Sequence, residues 1–281
     1  MIKNNEKANN HSPFFIERVI FLNVNCPYLD IQCNDMKCDC AKYLAYVDAK
    51  NPKVFNRILK EYGFDINKSD FDLICDMQYS YASRTKQIEK LTREEKEKWI
   101  DRYLVCIEDE IREVREYLNL YDEVEKKDKD IELKKEVIDI LHFVTELLLV
   151  CGFNHDVLRK YYFDYIKFSN YEDDIIHVAY SFQKNFIDKY LNTKKDISKD
   201  ITILKACCKL SDACALVRQQ ISWKYWKKKS LYTNWEKLDY ACTVVFYEFI
   251  NLCILTMSVN EIKDIYIQKN VENILRQEYG Y

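Results

Sequence analysis

The sequence predicts an all-α protein, a multi-helix bundle, and three observations carry that expectation. Glycine and proline are scarce, three of each in 281 residues, whereas a β-sandwich or barrel needs many tight turns built from both. Apolar residues recur at helical spacing: Ile107, Ile111, Val114 and Leu118 follow i, i+4, i+7, i+11, as do Val137, Leu141, Val144 and Leu148. Capping boxes of the form S/T-x-x-E recur as well, in Thr92 with Glu95, Ser169 with Glu172, Thr233 with Glu236 and Ser258 with Glu261. A hydrophobic content of 48%, with 14 Phe and 22 Tyr, is enough apolar material for a sizeable core.

Residues 1–65 read differently from the rest, as an N-terminal extension of mixed or irregular structure. The first dozen or so are polar and expected to be disordered. Residues 18–24 (RVIFLNV) read as a short strand or buried segment. Cys26, Cys33, Cys38 and Cys40 follow without the CxxC pairs of structural zinc sites, so unligated thiols are expected. A short helix is expected near 52–62, with Pro52 in its first turn and Gly63 as its stop. From there the pattern is helical throughout. Helices are expected at about 70–90, 92–119, 131–151, 155–168, 169–191, 199–222, 233–257 and from 258 to the end. No Gly/Ser-rich linker divides this part, so 66–281 reads as one domain.

Composition narrows the function classes. A net charge of −3 does not suit a general nucleic-acid binder, which normally carries a basic excess. The chain begins MIKNNEKANNHSPFF, without the apolar stretch of a secretory signal. Its twelve cysteines are therefore expected to be reduced and mostly buried, in an intracellular and cytoplasmic protein, with the nucleus also allowed. The longest apolar run, Tyr240 to Met257, holds Glu248 and Asn251 near its middle, which fits a core helix rather than a membrane span.

Four acidic residues are the candidates for chemistry: Glu110 with Glu113, and Glu136 with Asp139. Each pair is spaced i, i+3, so its two carboxylates share one helix face. Both pairs flank an apolar stripe rather than oppose it. Packed antiparallel, the two helices can bring four carboxylates together, where they repel unless they hold divalent cations. Hard oxygen donors of this kind suit Mg²⁺ that also binds substrate phosphates. The bland alternative is that E-x-x-E pairs on solvated faces are common among 46 acidic residues. At the other end, a helix over YIQKNVENILRQEYGY places Lys269, Asn270, Asn273, Arg276 and Gln277 close to one face, where Lys and Arg can clamp phosphate and Asn and Gln can bond a base or sugar. A solvated terminal helix is the bland reading there.

Taken together, ExxE, then Glu136-Val-Ile-Asp139-Ile-Leu-His142-Phe143, then Lys269-Asn270-x-x-Asn273-x-x-Arg276-Gln277-x-x-Gly280-Tyr281, resemble the dimeric all-α dUTP pyrophosphatases of the all-α NTP pyrophosphatase superfamily. The resemblance spans roughly residues 70–281 and is weak outside these motifs. It implies Mg²⁺-dependent hydrolysis of dUTP to dUMP and pyrophosphate by a homodimer, with dUDP, cleaved to dUMP and phosphate, as a further substrate, two or more ions and Mn²⁺ as a substitute. By the same resemblance Glu110, Glu113, Glu136 and Asp139 would ligate metal, and Glu110 would deprotonate the attacking water. Lys269, Arg276 and Lys227 would meet phosphate. Gln78, His142, Phe143, Asn270, Asn273, Gln277 and Trp226 would surround the nucleotide; the alternatives are a buried, hydrogen-bonded core residue for His142, a solvated side chain for Gln78 and a basic surface patch for the run that holds Trp226 and Lys227. Two departures stand out: Tyr81 occupies the position where the family pairs an Asn with Gln78, and the W-K-x-W-K run at 223–227 follows both acidic pairs instead of lying between them. Two other readings remain open: a related pyrophosphatase for another nucleoside triphosphate, and a non-catalytic helical interaction protein.

Overall fold

A computed structural model describes residues 39–85, 88–118, 129–166, 174–193, 197–221 and 233–279. Among these the protein is all-α, with ten α-helices, one 3₁₀ turn at Ile88–Lys90 and no strand. The helices are α1 Asp39–Ala49, α2 Pro52–Glu61, α3 Asp70–Thr85, α4 Arg93–Glu116, α5 Lys129–Cys151, α6 His155–Ile166, α7 Ile175–Thr193, α8 Lys199–Gln220, α9 Trp235–Thr256 and α10 Val259–Glu278. The expected strand at 18–24, the polar N-terminus, and Cys26, Cys33 and Cys38 lie outside the described residues.

Local chemistry sets the helix ends. Thr92 and Glu95 form the full reciprocal capping box that opens α4. Ser198 caps α8, accepting from the Ile201 amide. α5 stops at Gly152, whose φ of +87° places it in the left-handed region that favours glycine. The Phe153 and Gly152 amides then reach back to the carbonyls of Leu148 and Leu149, the paired bonds of a Schellman stop. Two expected starts differ. α9 is capped by Asn234, not Thr233, because the Thr233 hydroxyl is already bonded to Glu97 on α4. α7 is capped by Asp174, whose Oδ1 accepts from the Ile176 amide at 2.8 Å, and Ser169 and Glu172 lie outside the described residues. α3 ends at Thr85 and a separate 3₁₀ turn follows, where one continuous helix to about 90 was expected.

The chain divides into two compact units, residues 1–61 with 268–281, and residues 62–267. The sequence suggested one boundary, after residue 65, with 268–281 in the helical domain; in the structure those last residues fall in the first unit. Within the first unit, α1 packs on α2, and Tyr279 bonds Asp48 while Arg57 pairs with Glu278 at 3.3 Å. These contacts join chain segments more than 200 residues apart in sequence.

The second unit is a helical bundle around α9. α9 packs against α5, α6, α7 and α8, and buries Leu238, Val245, Phe246, Phe249 and Ile250. It is the one helix among the described residues long and apolar enough to cross a membrane, yet 56% of its apolar window is buried in the protein, as a core helix would be. Edge-to-face contacts of Phe246 with Phe71 and Tyr162 tie α3 and α6 to it. α4 and α5 run antiparallel: Glu110 meets Glu136, and seven residues earlier on α4, Tyr103 meets Glu146, ten later on α5. α4 and α8 are also antiparallel, since Asp101 pairs with Arg218 and Glu108 accepts from Ser211.

Lys134 on α5 pairs with Glu261 at the start of α10. That bond, with those from the Ser258 amide and hydroxyl, lowers the Glu261 pKa from its ordinary 4.5 to about 2. The folded value lies below the unfolded one, so the stabilisation is present above pH 4.5 and fades as pH falls towards 2. Discounted for solvent, Glu261→Gln is expected to cost about 1 kcal/mol at neutral pH. Urea titrations from pH 7 down to pH 2 should show this gap closing; a gap independent of pH would mean that the charge contributes nothing.

Candidate functional site

The i, i+3 spacing does what helical geometry requires: Glu110 and Glu113 sit on one face of α4, directed at α5. Glu136 comes from the second turn of α5 to meet them. One carboxylate oxygen from each of the three lies within 4.8 Å of the others, and all three side chains are half-buried. Asp139, one turn further along α5, is also half-buried but is not part of this group. The local field is negative. Burial, then the charges of Glu136, Glu132 and Glu113, raise the Tyr117 pKa. Burial, Asp109 and Glu110 do the same to Cys106.

These residues fit a hard divalent cation. Oxygens around one octahedral Mg²⁺ at about 2.1 Å stand roughly 3 Å (neighbouring) to 4.2 Å (opposite) apart. Three oxygens already within 4.8 Å need only small side-chain rotations to share an ion. All donors are carboxylates, which suit Mg²⁺ and Mn²⁺ better than soft metals.

A second polar cluster is built into the core from α3, α4, α5 and α10. Gln78 is 3% exposed. Its Nε2 donates to Glu146 Oε1 at 2.9 Å, while its Oε1 lies 2.7 Å from the Tyr266 hydroxyl and 2.9 Å from His142 Nδ1. Tyr103 donates its hydroxyl to the other Glu146 oxygen. The Tyr266 ring stacks on His142 at 4.4 Å. The orientations follow in sequence. Glu146 accepts, so the Gln78 amide nitrogen must face it. The Gln78 oxygen then faces His142, so Nδ1 carries the imidazole proton. Gln78 and His142 were expected near a nucleotide on the strength of the resemblance; here they are joined to each other. Glu146, Tyr103 and Tyr266 were not anticipated. One signal was available: Glu146 interrupts the apolar stretch from Val144 to Val150, where a charge requires a buried partner.

Phe143 is half-buried on α5. Lys269, Asn273, Arg276 and Gln277 are half-buried on α10, in the first unit, and Arg276 pairs with Glu272 one turn before it. Asn270 is buried, with no hydrogen-bond partner for its Oδ1. The segment is therefore not the solvated terminal helix of the bland reading. Trp226 and Lys227, and the terminal Gly280 and Tyr281, lie outside the described residues. A cavity of about 170 Å³ lies between α4 and α8, against Leu104, Glu108, Cys214 and Arg218. No family model, curated protein or solved structure matches the chain.

Proposed function

We propose that the protein is a Mg²⁺-dependent nucleoside triphosphate pyrophosphohydrolase acting on dUTP, and on dUDP as a further substrate. The observation that carries this reading is the meeting of Glu110, Glu113 and Glu136 across α4 and α5, from the two motifs on which the resemblance to dUTP pyrophosphatases rests. In this reading Glu110, Glu113 and Glu136, completed by Asp139, hold the metal. When bound, Mg²⁺ or Mn²⁺ neutralises phosphate charge and acidifies water. Glu110 orients the attacking water and takes its proton. By the resemblance alone, Lys269, Arg276 and Lys227 would be offered to phosphate oxygens, and Asn270, Asn273, Gln277, Phe143 and Trp226 to the nucleotide; His142 is buried and bonded to Gln78. A homodimer is part of the same proposal.

A second reading is favoured by one specific observation. The Gln78 amide is bonded to Glu146, His142 and Tyr266, so it has few bonds left with which to read a uracil edge. A related pyrophosphatase that does not select uracil fits that arrangement as well. The test is to incubate the protein with each deoxynucleoside triphosphate, with and without Mg²⁺, and follow pyrophosphate release. Uracil-selective, chelator-sensitive turnover is expected. Equal rates on all bases would move the assignment to the second reading, and no turnover on any would leave a helical interaction protein.

A further inference from the structure

We propose that Cys151 and Cys242 form a redox-responsive pair, closed by a hydroperoxide into a disulfide that ties α5 to α9. Cys151 is the last residue of α5 and Cys242 lies in the first half of α9. Both are free thiols, and their sulfurs stand 3.6 Å apart. A disulfide bond is about 2.05 Å long, so the sulfurs must approach by roughly 1.5 Å, a distance side-chain rotation at a helix end can supply.

The two thiols are unequal in the way such a pair requires. Cys151 is half-buried at the α5 terminus, where the chain turns away at Gly152. Cys242 is fully buried. The Cys151 sulfur beside it, and then burial, push the Cys242 thiol pKa well up, so Cys242 keeps its proton until it has a target. The oxidant therefore meets Cys151 first.

In the first step the Cys151 sulfur attacks one peroxide oxygen; an S–O bond forms, the O–O bond breaks, and the departing hydroxide takes the thiol proton as water. In the second, the Cys242 sulfur attacks the Cys151 sulfur. An S–S bond forms, the S–O bond breaks, and the leaving hydroxide takes the Cys242 proton as a second water. The two thiols lose two electrons and the hydroperoxide gains them.

The test uses the whole protein treated with hydrogen peroxide, alkylated, digested and mapped by mass spectrometry. The expected result is a linked pair of peptides carrying Cys151 and Cys242, lighter by two hydrogens and separated by dithiothreitol. The titre of free thiols falls by two through this pair, and the oxidised protein melts at a higher temperature than the reduced one. In Cys242→Ala the link is lost and Cys151 proceeds to sulfinic acid. Mapping the unaltered protein alone can overturn the proposal: Cys151 ending as sulfinic acid beside an intact Cys242 thiol would do so. So would both thiols surviving an exposure that oxidises the exposed Cys208.

Discussion

Replacing Glu136 by glutamine raises the melting temperature of the metal-free protein and abolishes its response to magnesium. Three carboxylates whose oxygens lie within 4.8 Å of one another repel. At the effective dielectric of a protein surface each pair is worth up to about 3 kcal/mol before screening, and water and salt reduce this to roughly 1 kcal/mol. Glutamine keeps the shape and removes one charge. For a chain of this size the gain corresponds to roughly 2–4 °C. The same change removes a ligand, so Mg²⁺ at about a hundred times its dissociation constant should stabilise the unaltered protein by about 2.7 kcal/mol and the variant far less. If the proposed activity is present, its kcat/KM should fall on the order of a thousandfold, since the metal's contribution to catalysis is several kcal/mol. Asp109→Asn, on the exposed side of the same helix, serves as the control and should change neither reading.

The melting experiment separates two questions that an activity assay would merge. If Mg²⁺ raises the melting temperature of the unaltered protein but not of the Glu136 variant, the acidic group is a metal site whatever the substrate. If magnesium shifts both equally, the three carboxylates only happen to be close, and the dUTP reading loses the observation that carries it. The wider assignment then reverts to the plain one, two acidic edges exposed to solvent along a helix seam.

What the sequence revealed, and what it hid, follows from range. The Thr92–Glu95 box and the stripe Ile107, Ile111, Val114 involve residues within a few turns, so spacing alone determines them. Placing Glu110 and Glu113 on one face is equally local. Their meeting with Glu136 required only that neighbouring helices pack antiparallel across a short connection. Asn234 displacing Thr233 as a cap could not be read, because the competitor for the Thr233 hydroxyl, Glu97, is 136 residues away. The Gln78–Glu146 core was hidden for the same reason. Its five members come from four helices, and each alone looks like an ordinary residue on an amphipathic face. Only the charge inside an apolar run hinted at it. The terminal helix was also under-read: its polar letters suggested solvent, yet Tyr266, Val271 and Leu275 are fully buried.

Glu146→Ala is expected to destabilise the protein by about 3 kcal/mol, the largest effect on folding proposed here. Glu146 is 3% exposed and accepts from two buried donors, the Gln78 amide and the Tyr103 hydroxyl. Alanine leaves both without a partner, at about 1–2 kcal/mol each, and opens a small void. Tyr103→Phe removes one of those donors together with its need for a partner. The double variant should therefore lose at least 1 kcal/mol less than the sum of the single losses. Urea titrations of the four proteins measure this coupling; strict additivity would mean that the two residues do not share a bond. Glu146→Gln probes direction rather than strength. Its amide oxygen keeps accepting from the Gln78 nitrogen, and its amide nitrogen turns to the Tyr103 oxygen, which accepts while the hydroxyl proton points elsewhere. One bond changes direction and none at Gln78, so the loss should stay well below that of Glu146→Ala. The Gln78 oxygen still faces His142, whose proton stays on Nδ1, as nitrogen NMR reads from the two ring shifts. A changed tautomer, or a loss as large as that of alanine, would mean that an acceptor at position 146 does not fix the direction of the Gln78 amide.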